Sequence, residues 1–142
     1  DFRAALMPIY NSCAEFSHNL KLDYDLLRRN VAEWRSVSDL LVKDFYVITS
    51  WHSGLDAGTW DVFAYDDAEK GESIILAFRQ AESPYPSCEA RLKFADPSAV
   101  YEITDVDAGR TVRRSGRDLR ERGYLIVLPE RKSSALLRLK RM

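Results

Sequence analysis

The chain is poor in the residues that carry most metal and nucleophilic chemistry. Its 142 residues include only two histidines and two cysteines. His18 and His52 stand in no spacing that could complete a zinc site with Cys13 or Cys88. The sequence also has no Gly-rich phosphate loop and no G-x-S-x-G nucleophile elbow. We therefore expect no metal site, no cofactor and no complete active site in this chain.

Long hydrophobic runs and a strong charge of either sign are missing as well. No apolar stretch approaches the roughly 20 residues that span a membrane. The formal net charge is −1, so we expect neither a nucleic-acid partner nor a membrane partner. Two cysteines are too few for a disulfide framework, which predicts free thiols. The chain starts at Asp1 without Met or a signal peptide, so we expect a fragment of a longer protein, whose compartment stays open.

The first third of the chain has the hydrophobic periodicity of a helix. Asp23 is a good N-cap, and neither Gly nor Pro interrupts the run from Tyr24 to about Asp44. Apolar residues recur in this run at spacings of three, four and seven, and the stripe consists of Leu27, Val31, Trp34, Leu41 and Phe45. The pattern predicts one amphipathic helix of about 20 residues.

After Trp51 the hydrophobic period changes to two, which is typical of strands. Alternating segments follow at Trp60–Tyr65, Ser73–Arg79, Cys88–Phe94, Ala99–Asp105, Thr111–Arg114, Tyr124–Leu128 and Ala135–Leu139. Ser115 can cap a short helical turn before Gly123. Seven or eight short strands with regular turns predict an antiparallel β-sandwich. The expected protein is mainly β, with an N-terminal α-helical segment whose long amphipathic helix precedes the sandwich.

Two clusters of charged residues each have a functional and a structural interpretation. Asp66, Asp67 and Glu69 could act as glycosidase carboxylates, but their place between two strands favours a solvated hairpin turn. The arginines between Arg110 and Arg122 could contact phosphate. Their alternation favours the solvent-facing side of an edge hairpin, where charge discourages pairing with another sheet.

Three aromatic residues, Trp60, Tyr65 and Tyr85, are candidates for contact with a carbohydrate, and Trp51 is a further one. Trp60 shares its strand face with two other apolar residues, which favours a place in the core. Tyr85 lies between two prolines on a loop, so it is the ring that we expect to be most exposed.

A series of motifs occurs along the chain in a fixed order: the helix Asp23–Arg35, the segment Lys43–Thr49, the strand Thr59–Tyr65, Gly71–Glu72, the strand and turn Ala77–Pro84, Asp96–Pro97, the strand Tyr101–Asp105, Gly109, the turn Ser115–Leu119 and Gly123. In their order and spacing, these motifs resemble the C-terminal region of the α-galactosidases of glycoside hydrolase family thirty-six. The loop from Trp51 to Gly58 has no close match. The resemblance covers nearly the whole chain.

The resemblance implies that residues 1–46 are the end of a (β/α)8 barrel and residues 47–142 a C-terminal sandwich. In that family the catalytic aspartates lie on earlier barrel strands, so no catalytic residue carries over to this chain. The implied function is a non-catalytic accessory domain that packs on the catalytic barrel of a retaining enzyme and stabilises it. The sugar and the linkage stay open.

Two other functions stay open, and each makes a different demand on the surface. A carbohydrate-binding sandwich would need exposed aromatic rings, whereas a free-standing enzyme would need paired carboxylates or histidines. One sandwich at the end of the helix cannot cover its whole apolar stripe. We therefore also expect the isolated chain to self-associate through this helix.

Overall fold

The computed structural model describes residues 2–5, 23–50 and 56–142. Cys13, His18, Trp51 and His52 lie outside these residues, as does most of the loop that begins at Trp51. Within the described ranges, a 3-10 helix at Phe2–Ala5 comes first. The remaining elements are α1 (Tyr24–Val37), β1 (Asp44–Val47), β2 (Trp60–Asp67), β3 (Glu72–Arg79), β4 (Ser87–Ala90), β5 (Val100–Asp105), β6 (Arg110–Ser115), α2 (Gly116–Glu121), β7 (Tyr124–Val127) and β8 (Ser133–Arg141).

The strands form two antiparallel sheets. The larger has six strands in the order β1-β2-β3-β8-β5-β6, and the smaller pairs β4 with β7. All neighbouring strands run antiparallel. The predicted fold class is therefore confirmed: the chain is mainly β, and a helix precedes the strands.

Helix α1 begins where the sequence predicts and ends earlier. The side chain of Asp23 accepts a hydrogen bond from the backbone N–H of Leu26 at 2.8 Å, which caps the first turn. The helix has 14 residues and ends at Val37, so the predicted length of about 20 residues is wrong. The reason is tertiary: Asp44 pairs with Asp66 of β2 in the ladder, so the chain must leave the helix to reach it.

One face of the large sheet carries the main core. Trp60, Val62 and Ala64 of β2 are buried there, in the alternation that the sequence predicts. The small sheet and α2 cover this face with buried residues such as Leu119 and Ile126. Burial of apolar surface between these layers is the main stabilising term.

The opposite face of the large sheet packs against the end of α1. Val37 and Leu41 form a second cluster with three residues from the middle of the sheet, Ile74, Leu76 and Leu136. Trp34 packs against the same cluster. The sheet thus covers Leu41 and part of Trp34, whereas Phe45 belongs to β1 and is 51% exposed, so part of the predicted stripe stays uncovered, as expected.

The predicted strand Cys88–Phe94 is shorter in the structure. Strand β4 stops at Ala90, and the backbone N–H of Leu92 donates to the carbonyl oxygen of Leu119 at 2.9 Å. The chain leaves the ladder here because Leu92, whose side chain is fully buried, packs in the main core beside α2.

An arginine near the start of the described chain joins three elements. The Arg3 guanidinium pairs with both carboxylate oxygens of Glu33 on α1, at 2.7 Å each. It also pairs with Asp107 in the β5–β6 turn at 2.6 and 2.7 Å. The hydrogen bond to Glu33 is the main cause that raises the pKa of Arg3, against the opposing effect of burial. Arg3 therefore fixes α1 and its own segment to the sheet.

Candidate functional site

Asp66 and Asp67 are the last two residues of β2, and local partners hold both carboxylates. The hydroxyl of Ser73 donates to Asp66 at 2.6 Å. Asp67 accepts from the backbone N–H of Lys70 at 3.1 Å, and it pairs with Lys43 at 3.1 Å. The Lys70 N–H is the main cause that lowers the pKa of Asp67, and the Lys43 ammonium adds to it. The hairpin between β2 and β3 is as predicted, but Asp66 and Asp67 are only 9% and 4% exposed, so the expectation that they are solvated is wrong.

Asp66 is an acid in an unfavourable place for charge. Its side chain lies on the core side of β2, and the residue is only 9% exposed. Desolvation raises its pKa, and Asp44 and Asp67 raise it further, while the Ser73 hydrogen bond and Arg141 lower it. No group of His, Cys, Asp or Glu that could hold a metal ion occurs among the described residues.

The arginines near β6 mostly have partners within the chain. Arg113 pairs with Glu102 across the strands at 3.3 Å. Arg114 and Arg122 approach Asp118 at 4.0 and 3.8 Å. These pairs agree with a solvated edge hairpin, as the alternation predicts. Exposed pairs of this kind contribute little to stability.

The three candidate sugar-contact residues do not share one surface. Trp60 is 6% exposed and packs in the main core, and its indole N–H donates to the carbonyl oxygen of Tyr85 at 3.0 Å. Tyr65 lies on the opposite face of β2, where burial raises the pKa of its phenol. Tyr85 is 67% exposed, as expected from its flanking prolines. Contact with a carbohydrate stays a prediction, and Tyr85 is the member of the three whose ring faces solvent.

The structure brings together four aromatic residues that the sequence pattern does not place on one surface. Phe45, Phe63, Tyr65 and Phe78 line β1, β2 and β3 on the side of α1, and we call this row the aromatic face. Phe45 lies 5.7 Å from Phe63 and 5.1 Å from Tyr65, and Phe63 lies 6.5 Å from Phe78, between ring centroids. The sequence feature that indicates this surface is that β2 and β3 carry apolar residues on both faces.

The aromatic face continues into exposed apolar residues at the edge of the sheet. Val42 and Val47 are 66% and 56% exposed, beside the half-exposed Phe45. An open pocket lies beside the aromatic face. It is lined by Phe63 and Phe78 together with the polar residues Asp61, Gln80 and Lys132. Exposed apolar patches with polar neighbours are typical of surfaces that bind another molecule.

A second recess lies at the same sheet edge but on the core side. The rings of Tyr46 and Phe94 stack there with centroids 4.8 Å apart and planes at 24°. The recess, which we call the edge groove, is lined by Tyr46, Val47, Ile48, Phe94, Glu89, Arg91 and Lys93. It opens where β1 faces the chain segment that continues from β4.

Taken together, the fold and its surfaces define an antiparallel β-sandwich that joins a short helix and presents an apolar sheet edge. No helix in the described part of the chain is long and apolar enough to cross a membrane. The arrangement is suited to packing against another folded body. A ligand could also contact a single exposed aromatic ring, that of Tyr85.

Comparison with known proteins gives a partial similarity to a solved glycoside hydrolase structure. No family model matches the chain, and no curated protein matches it. Among solved structures, the chain is similar to the GH36 α-galactosidase AgaB from Geobacillus stearothermophilus, with 26% sequence identity and a TM-score of 0.65. The match covers 90% of this chain and 17% of that chain. The chain thus resembles one limited part of a glycoside hydrolase.

Proposed function

We propose that this chain is a non-catalytic, C-terminal accessory domain of a retaining, α-galactosidase-like glycoside hydrolase, in which it packs on the catalytic barrel and stabilises it. The observation that carries the proposal is the match to AgaB, which takes in 90% of this chain but 17% of the enzyme. A share of that size corresponds to an appended domain rather than to a whole enzyme. The motifs quoted above support the same family.

In this proposal, residues 1–46 come from the end of a (β/α)8 barrel and residues 47–142 form the sandwich, with the boundary moved to Asp44 because β1 (Asp44–Val47) pairs with β2 in the sandwich sheet. The exposure of α1 supports this division. The helix contacts its own sheet near its C-terminal end, through Trp34 and Val37. Tyr24 and Leu26 near its start are 50% and 47% exposed. Apolar residues at the start of the helix would therefore contact the barrel.

The experiment uses the longer protein that the proposal implies, and it separates chemistry from stability. Removal of residues 44–142 should lower the melting temperature or the soluble yield. Asp66→Asn within an otherwise intact enzyme should leave kcat on an aryl α-galactoside unchanged. The isolated chain should not hydrolyse aryl α- or β-glycosides. A carboxylate substitution in this chain that abolishes turnover without unfolding the enzyme would contradict the proposal.

The interface has its own matched test. Leu26→Asp in the longer protein should lower the melting temperature, because it places a charge against the barrel. Arg28→Asp, at a position that is also exposed in the described structure, serves as the control for a charge change on the same helix. Equal effects of the two substitutions would argue against an interface at Leu26.

A carbohydrate-binding module is the second candidate, and the pocket beside Phe63 and Phe78 favours it. Aromatic rings next to polar groups such as Asp61 and Gln80 suit a sugar, which has an apolar face and a hydroxylated rim. Phe78→Ala and Tyr85→Ala should then each weaken retention on a polysaccharide affinity gel. Unchanged retention of both variants, or no retention of the wild type, would eliminate this candidate.

A further inference from the structure

Strand β1 is an end strand of the six-stranded sheet, and among the described residues it pairs with a strand on one side only. The N–H of Ile48 donates to the carbonyl oxygen of Val62 at 2.9 Å, beyond the last paired residue of β1. In an antiparallel ladder, backbone groups alternate in direction. The groups of Tyr46 therefore point towards β2, and those of Phe45 and Val47 point away from it. No described strand lies on that open side.

The side chains of the same two residues are apolar and half-exposed. Phe45 is 51% exposed and Val47 is 56% exposed, and both project on the side of the aromatic face. A strand edge with open backbone groups and exposed apolar side chains is a template for another strand. β1 contains neither lysine nor proline, residues with which proteins often protect such an edge.

On the other face, the open edge adjoins the edge groove. Tyr46 stacks on Phe94, and the groove beside this pair is rimmed by Glu89, Arg91 and Lys93. A strand added to β1 would place one side chain in this groove, because side chains alternate between the faces. The rim therefore presents one acidic and two basic side chains to the added strand.

We propose that β1 pairs with β1 of a second copy of this chain, antiparallel and about a two-fold axis at Tyr46. In this register, Phe45 of each copy lies opposite Val47 of the other. Their outward backbone groups can then form four hydrogen bonds across the axis. The two Phe–Val pairs are aromatic and β-branched, a combination that stabilises antiparallel pairs. The aromatic face then continues from one copy into the other.

The core-side face is compatible with the same axis. Tyr46 of one copy lies opposite Tyr46 of the second copy, and each ring borders the edge groove. A two-fold contact brings identical surfaces together. A rim that contains Glu89 as well as Arg91 and Lys93 can therefore pair with its own copy, whereas a rim of one sign would repel it. This self-complementarity favours a second copy over an unrelated strand.

The assembly is distinct from the one that the helical stripe predicts. Trp34 and Leu41 pack against the sheet of their own chain, so they are not the contact surface. The proposed dimer also does not depend on the enzymatic family of a longer protein.

The first experiment is sedimentation velocity of the 142-residue chain over a wide concentration range, with circular dichroism to confirm folding. The wild type should sediment as a monomer–dimer equilibrium. Val47→Pro removes an outward N–H and keeps the β1–β2 bonds, and it should weaken dimerisation at least about tenfold. Val47→Lys should abolish the dimer. Val127→Lys is the matched control, because Val127 is 55% exposed on β7, and it should leave the dimer unchanged.

The second experiment tests the register. In a background without the native cysteines, oxidised Tyr46→Cys should form a disulfide between copies, because opposite non-hydrogen-bonded residues are close enough for one. Val127→Cys should not cross-link. A wild type that is monomeric at high concentration would overturn the proposal. So would a dimer that survives both Val47 substitutions, or one that Leu26→Lys abolishes instead, which would place the contact on α1.

Discussion

Truncation of Trp60 tests whether this ring stabilises the core or binds a ligand. The structure buries the ring between the two sheets, with 6% of the residue exposed. Its indole N–H reaches the carbonyl oxygen of Tyr85 at 3.0 Å. Trp60→Ala removes both the apolar contacts and this hydrogen bond, so it is the most informative single substitution in the sandwich.

The magnitude follows from the burial. Replacement of a buried Trp by Ala costs roughly 3–5 kcal/mol, because a cavity remains where the ring packed. For a chain of this size, that loss corresponds to a melting temperature lower by roughly 10 °C. Trp60→Phe keeps a ring in the core and loses the hydrogen bond, so it should cost about 1–2 kcal/mol.

Urea unfolding followed by far-ultraviolet circular dichroism measures these differences without relying on the fluorescence of the residue that is changed. Tyr85→Ala is the matched control. It removes an exposed ring and keeps the backbone carbonyl that accepts from Trp60, so the stability should change by less than about 0.5 kcal/mol. The same variants are then applied to a polysaccharide affinity gel.

One result would contradict a core position for Trp60. If Trp60→Ala kept the unfolding midpoint of the wild type and lost retention on the gel, the ring would act on a ligand and not on the core. Equal destabilisation by Trp60→Ala and Tyr85→Ala would also contradict the structure, since the two rings differ so strongly in exposure.

Three further substitutions test single contacts. Asp66→Asn should raise the melting temperature at pH 7. Burial raises the pKa of Asp66 above its value in the unfolded chain, so its negative charge lowers the stability of the folded state at neutral pH. The gain from Asp66→Asn should vanish below about pH 4, where the wild-type acid is protonated in both states. A gain that persists at pH 3 would contradict this origin. Gly116→Ala should cost about 3 kcal/mol or more, because its Cβ would lie 1.7 Å from the carbonyl oxygen of Asp96; a wild-type melting curve would show that this contact is absent. Arg3→Ala should lower the free energy of unfolding in urea by about 2 kcal/mol, since it leaves the carboxylates of Glu33 and Asp107 without their partner. A decrease no larger than that of Arg28→Ala would contradict the role of Arg3 in joining α1 to the sheet.

The start of the helix and most of the strands could be predicted from the sequence because local patterns specify them. Asp23 caps α1 through a bond that spans three residues, and the alternation of Trp60, Val62 and Ala64 matches the buried face of β2. Such signals depend on neighbours along the chain. The exposure of Tyr85 belongs to the same class, since two adjacent prolines define its loop.

The candidate surfaces could be predicted only in part. The sequence pattern favoured a core position for Trp60, and the structure places it there. It does not predict the aromatic face, because the helical spacing places Phe45 in the stripe of the predicted helix. Phe45 joins Phe63 only once β1 has paired with β2, and a helical period and a short strand are hard to tell apart at the end of an apolar run.

Local sequence patterns are thus enough to predict the mainly β class, the start of α1 and the inward side of β2. Contacts between distant segments set where α1 ends, which strands are neighbours and which apolar residues stay exposed. Ile75 of β3 pairs with Leu137 of β8, far away along the chain, and this pairing sets the order of the sheet. Contacts between distant segments leave no local pattern, since their free energy comes from burial that arises only when the layers meet.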